Sequence, residues 1–361
     1  MMNVKRRFRI IIILLLVCGC IKQSESLQYN DSIITEDVDG YSRDMLIHND
    51  TLFVVNEDEG LLIYKIDTSN QSINLNLIYS DSAYYQNKGW NLSGILFSDE
   101  LARIYILDKF YCTYFAVLSE VLDTKTIYQP LQCAADNHHS SKFTINRENA
   151  DVDIFTLIRK VSGLSTSDVS SIYQNKWIEG FGFIDFSLPV IDSLNYDLTD
   201  VHYMNSKLVI SHTINTYPEI QIYNISETEG PYADTLTLIN TINTPAIPKA
   251  LYSTGDTLFV GMGDHGGVLV YNLENVDNIE LISWFSTGFS VREIFWDPLS
   301  SRLLLSCGYQ GAVVLELDEN MQEVDSWILN TSYAYAARNY MGHIIVATRN
   351  GLEIINLNNS Q

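Results

Sequence analysis

Two short clusters carry side chains able to ligate a metal: Asp136-Asn137-His138-His139 and Asp264-His265. A zinc centre needs imidazole nitrogens and carboxylate oxygens that converge on one point. Adjacent histidines diverge, and the chain has neither His-x-His nor His-x-x-x-His spacing. Both clusters therefore read as solvated loops, and no metal or cofactor is expected. Glu36-Asp37-Val38-Asp39-Gly40 opens like a calcium loop but lacks the later oxygen ligands and the closing glutamate. No catalytic constellation is legible, so no catalytic residue is assigned.

A different chemistry recurs at one position of a repeat. Arg43, Lys249 and Arg292 each stand at the start of an equivalent strand, in a chain with 44 acidic and 22 basic residues and a formal net charge of −22. Such a surface repels nucleic acid, whose phosphates need clustered Lys and Arg. Three cations gathered at one mouth of a channel would instead receive an anionic group or a partner's carboxylate. The alternative is that they neutralise neighbouring acids such as Asp44 and Glu293. Trp90 and His265 fall in loops on the same face and complete the candidate ligand contacts; the loops of that face also carry residues 56–59, Tyr84, Tyr85, His212, Tyr309 and Arg349.

The elements that position these residues are copies of one pattern. A β-rich run, a Gly/Asp turn, a second apolar run, a polar connection and a third run succeed one another over residues 250–284. Leu61-Leu62-Ile63-Tyr64-Lys65-Ile66 aligns with Val268-Leu269-Val270-Tyr271-Asn272-Leu273, with Ala312-Val313-Val314-Leu315-Glu316-Leu317 and with Leu352-Glu353-Ile354-Ile355-Asn356-Leu357. Weaker copies lie at 220–225, 181–186 and 112–117. Units spaced by about 43 to 56 residues match four-stranded propeller blades. The expected fold is all-β, a seven-bladed β-propeller over residues 32–358, with blades starting near 41, 92, 142, 198, 248, 290 and 334. The last unit lacks its outer strand, and a lone strand at 32–35 is free to complete it and close the ring. Residues 160–179 form an insertion loop in blade three, within which 167–173 suit a short helix. The abundance of Tyr, 22 against 14 Phe, fits rings packed between sheets.

The runs at 60–70 and 180–194 resemble the LVIVD repeat of bacterial extracytoplasmic β-propellers, with Tyr64, Tyr223 and Tyr271 where that repeat usually has a small aliphatic residue. The resemblance implies a fold and a location. It implies no activity, because that family shares no catalytic residues.

The N-terminus agrees on location. Lys5, Arg6, Arg7 and Arg9 precede an apolar run at 10–17, too short for a permanent membrane span. Val17-Cys18-Gly19-Cys20 resembles a bacterial lipobox, so residues 1–19 read as a lipoprotein signal peptide, Cys20 as the lipidated residue and 20–31 as a tether. Ile21 rather than Asp after the cysteine favours the outer membrane, by analogy. The membrane is met through the lipid alone. Of the remaining cysteines, Cys112 and Cys133 are expected to form a disulfide across neighbouring strands of blade two, leaving Cys307 free. The function expected is a non-catalytic binding or assembly scaffold for a protein, peptide or glycan at the channel mouth. The alternative is a metal-dependent, lactonase-like propeller hydrolase with its site at that mouth.

Overall fold

The computed structural model describes residues 27–29, 34–36 and 40–357, except 58, 70–71, 81–90, 99–100, 110–111, 124–128, 134–137, 146–152, 161–168, 179–181, 186–189, 195–196, 215–216, 229–231 and 265. Seven small sheets follow one another along the chain, each antiparallel apart from one added strand in blade six. Their innermost strands are Ser42–His48, Leu92–Ser98, His138–Ile145, Asp197–Met204, Pro248–Thr254, Glu293–Asp297 and Ala336–Tyr340. Each touches the next, and the seventh touches the first, so the ring is closed. No helix among the described residues is long and apolar enough to cross a membrane.

The core is not one cluster but seven, one for each pair of adjacent blades. This explains the consecutive apolar runs. In the second strand of blade one, Leu52 and Val54 pack against blade seven, while Phe53 and Val55 pack against blade two. A strand buried on both faces needs apolar residues at every position, not at alternate ones. Tyr64 and Tyr271, which depart from the repeat, lie in these seams at 2% and 7% exposure. Their rings fill inter-blade space.

The glycine before each strong copy has a steric cause. Gly60, Gly267, Gly311 and Gly351 all have positive φ, from 74° to 99°. At Gly267 and Gly311 a Cβ would also fall within 1.9 and 2.1 Å of the carbonyl oxygens of Phe285 and Leu329. The outer strand crosses there, and only glycine leaves it room.

Closure follows the expected route and adds to it. Ile34–Glu36 pairs antiparallel with Gly351–Asn356 as the outer strand of blade seven. Leu27–Tyr29 pairs parallel with Glu323–Leu329 as a fifth strand on blade six. The tether expected over 20–31 is therefore shortened at its C-terminal end. A three-residue strand whose partner lies some three hundred positions away leaves no periodic signal.

Blade three departs further. Val169–Ile178 is its third strand, not a loop or helix, and both Gly182–Asp185 and Ile191–Leu194 pair with it in the outer position. The copy placed at 181–186 thus belongs to the fourth strand. The misplacement has a physical origin: Gln174, Asn175 and Lys176 are buried in the true third strand. Polar residues in a core strand erase the apolar pattern that marks the other copies. Gln174 and Lys176 are satisfied by a network. Gln174 Nε2 donates to Asp153 Oδ1 at 3.1 Å and to Asp234 Oδ2 at 2.7 Å, and Lys176 Nζ bonds Asp234 Oδ1 at 2.9 Å. Asp234 lies just before the outer strand of blade four, so the network latches that blade to blade three.

Burial, and next the charge of Asp234, push the Asp153 carboxyl up to about 7, against a smaller opposing pull from Lys176. The folded chain then holds a proton there that the unfolded chain releases near pH 4. This group's contribution to stability is full below about pH 4 and is lost as pH rises through 7. Asp153→Asn keeps the oxygen that Gln174 bonds and removes the charge. The difference in melting temperature, variant minus wild type, is expected to grow between pH 5 and 8 and to correspond to a few kcal/mol at the alkaline end. A difference that stays flat across that range would refute the assignment.

In blade two, Cys112 and Cys133 are directly opposed in the register of the third and fourth strands. Opposed residues of an antiparallel pair have Cα atoms about 4.5 or 5.5 Å apart, inside the range a disulfide spans. The bridge remains a proposal, worth about 3 kcal/mol for a loop of this length. Non-reducing peptide mapping of the protein from its native compartment should recover the two cysteines in one linked fragment; two free thiols there would rule it out. Cys307 is a free thiol, buried, with burial pushing it up to about 12.

Candidate functional site

Two places concentrate polar chemistry: the central channel and the rim of one face. Each is built by a recurring feature of the innermost strand. A one-residue register shift falls near its start in five blades, between Ser42 and Asp44, Leu92 and Gly94, Ser140 and Lys142, Leu198 and Asp200, and Pro248 and Ala250. The shift sets Asp44, Lys142 and Asp200 at equivalent positions of three blades, lining the channel. Glu293 opens the equivalent strand of blade six.

These residues, with Arg338 of blade seven, line a cavity of about 340 Å³. Arg338 Nη1 donates to Glu293 Oε1 at 2.7 Å and Nη2 to Asp44 Oδ1 at 3.1 Å. Burial works against the guanidinium's charge, but Glu293 and Asp44 outweigh it and hold its pKa above the ordinary value. Burial raises Glu293, with Arg338 opposing. Lys142 is raised chiefly by Asp200, and further by Glu293 and Asp44, against desolvation.

Asp44 also accepts from Met45 N at 2.8 Å and from Ile95 N of blade two at 3.1 Å. Asp200 does the same with Val201 N at 2.9 Å and Leu251 N of blade five at 2.8 Å. The inward carboxylates are thus committed to joining blades. Among the described residues no group of three or more His, Cys, Asp or Glu is placed to hold a metal. Where a metal-dependent propeller would set an ion between carboxylates, Arg338 stands between Asp44 and Glu293.

Arg43, Lys249 and Arg292 do hold equivalent positions, yet none of them lines this cavity. Arg43 pairs with Glu57, whose other oxygen accepts from Asn91 Nδ2 at 2.7 Å. The Lys249 stem lies over Gly263. The expected shared cavity is therefore corrected. The side chains sit at the shift itself or just before the strand, and lie along the rim instead of turning into the channel. Trp90, His265, Asp136 and Cys20 lie outside the described residues, as do residues 37–39 of the calcium-like segment.

Arg43 and Arg292 instead enter a cluster of aromatic and guanidinium groups. In antiparallel blades the loops from second to third strand, and from fourth to the next first strand, emerge on one face. That face collects Tyr41 and Arg43 of blade one, Arg292 and Tyr309 of blade six, Tyr333 and Tyr335 from the connection between blades six and seven, and Arg349 of blade seven. The Arg349 guanidinium lies 4.3 Å from the Tyr333 centroid, 4.8 Å from Tyr309 and 5.6 Å from Tyr41. Its Nε donates to the Tyr335 hydroxyl at 3.2 Å and its Nη1 to the Tyr309 hydroxyl at 2.7 Å. Those two bonds raise its pKa further. Arg43 stacks on Tyr335 at 4.4 Å and on Tyr41 at 5.3 Å, and Arg292 lies 6.0 Å from Tyr333.

Tyr309 is 70% exposed, while Tyr333 beneath it is 6% exposed. The cluster offers aromatic faces and guanidinium donors already held in place, which lowers the cost of ordering them on binding. Tyr309 and Arg349 are legible from sequence as residues of this face. Their convergence with Tyr41, Tyr333 and Tyr335 is not, since it depends on blade seven meeting blade one.

The fold and this rim define the chain as a seven-bladed β-propeller with an aromatic, cationic patch on one face. No family model matches it, and no curated protein does. Among solved structures 897 chains match, too many to point to one activity. It is similar to the computationally designed Ika8 protein, at 9% identity and TM-score 0.55, covering 89% of this chain and 98% of that one. It is also similar to a chain of the mitotic checkpoint complex, at 10% identity and TM-score 0.56, covering 93% of each. At such identities the likeness is one of fold.

Proposed function

We propose that this propeller is a lipid-anchored, extracytoplasmic, non-catalytic binding scaffold of the LVIVD-repeat type, whose partner docks on the rim where blades six, seven and one meet. The observation that carries the reading is the cluster of four tyrosines and three arginines just described. Tyr and Arg are the residues that dominate binding energy at protein interfaces. Arg43 and Arg292 belong to it. The anchor is supported by the basic and apolar leader, by Gly19 and Cys20, and by the repeat resemblance; the bacterial outer membrane is its favoured site. The acidic surface speaks against nucleic acid as a partner. The hydrolase reading has less support, because the inward carboxylates are committed to Arg338 and to backbone N–H groups.

Two measurements test the proposal. Mass spectrometry of the protein from its own cells should find acyl chains on an N-terminal Cys20; an unmodified cysteine would remove the anchor. Full-length protein should capture a discrete partner from solubilised envelopes, and Tyr41→Ala with Tyr309→Ala should abolish that capture without lowering the melting temperature. Capture unaffected by the double variant would place the binding face elsewhere.

A further inference from the structure

We infer that the rim recognises a peptide segment through one carboxylate, an Asp or Glu side chain, seated on Arg349 with Arg292 beside it. The inference rests on the rim reading above and names the chemistry of its partner. Arg349 is fixed by two tyrosine hydroxyls, which take two of its five N–H donors. Among the described residues neither Arg349 nor Arg292 has a carboxylate within ion-pair distance, whereas Arg43 is spent on Glu57. Both of these guanidinium groups flank one ring, that of Tyr333, at 4.3 and 6.0 Å. A planar guanidinium matches a carboxylate, and charge-assisted pairs of this kind are the strong ones.

Two features choose a peptide over an acidic glycan. The rim tyrosines are tilted, with interplanar angles of 36°, 44° and 85° between neighbours, so they offer clefts for side chains rather than a flat platform for consecutive sugar rings. The net charge of −22 also repels a polyanion. It tolerates a single carboxylate and attracts a segment that is otherwise basic or neutral.

The test is a random linear peptide library panned on immobilised full-length protein, with the Arg349→Gln variant as counter-target. Recovered peptides should share one Asp or Glu next to apolar or basic residues. Changing that residue to Asn or Gln should weaken binding roughly 10- to 100-fold on wild type and leave binding to Arg349→Gln unchanged. Affinity for wild type should fall as salt rises. Peptides without a common acid, equal responses of the two proteins, or no peptide recovered would overturn the inference. So would Arg349-dependent binding of a uronic-acid oligosaccharide with none by carboxylate peptides. Tyr309→Ala separates the two claims: loss of binding there, with Arg349→Gln unaffected, leaves the rim reading standing and removes the carboxylate. Binding indifferent to both variants removes the rim itself. Should Arg349→Gln melt below wild type, Arg292→Gln serves in its place.

Discussion

A chain lacking residues 21–40 is expected to melt roughly 10 °C below the full-length protein and to lose cooperativity, because the deletion strips the outer strand from the blade that closes the ring. The removed segment supplies the outer strand of blade seven and the fifth strand of blade six. Without it, Gly351–Asn356 and Glu323–Leu329 become unpaired edges. Around them lie Ile354 and Trp327, now buried at 3% and 7% exposure. Exposed strand edges template aggregation, so the deleted chain should also precipitate on heating. A disordered leader of the same length could be removed without either effect. An unchanged melt would mean that the blades close without the N-terminal strands.

Arg338→Met should cost about 3 kcal/mol, and so lower the melting temperature by roughly 5–10 °C. The arginine joins Glu293 of blade six to Asp44 of blade one across the closing blade, and Asp44 continues to blade two through Ile95. Its removal leaves two carboxylates on the wall of one cavity without the cation between them. The carboxylates are 19% and 21% exposed, which keeps the expected cost at the low end for a broken internal pair. The sign with pH is also set. Burial already raises Glu293 against the pull of Arg338, and without the guanidinium this acid holds its proton to still higher pH in the fold than in the unfolded chain, so the variant's deficit should shrink on acidification. Glu293→Gln in the same chain should recover part of the loss at neutral pH. A deficit independent of pH, or no deficit, would show that the channel charges do not hold the ring together.

Much of the fold was legible because its constraints are local. A glycine forced by positive φ, followed by a strand apolar on both faces, recurs in recognisable form at Gly60, Gly267, Gly311 and Gly351. Where a blade breaks that local rule, the reading failed. Gln174 and Lys176 bond across strands, and no pattern in a single strand reveals that their partners are Asp153 of the second strand and Asp234 of blade four. The site was legible only in outline. Topology alone puts Tyr309 and Arg349 on the mouth face, and equivalence alone aligns Arg43, Lys249 and Arg292. It could not say that Arg43 pairs with Glu57, nor that Arg338 would stand in the channel between Asp44 and Glu293. The Arg338 contacts join residues from three blades, and they exist only once the ring has closed.

The rim claim meets its most direct test in photo-crosslinking within the native envelope, from two exposed positions on opposite faces. Tyr309 stands on the mouth face at 70% exposure, and Leu299, in the turn between the first and second strands of blade six, is 98% exposed on the other. A photoreactive residue at 309 should give a discrete adduct that disappears in the Arg349→Gln chain, while the same residue at 299 should give none. An adduct from 299 alone, or equal adducts from both, would contradict the account.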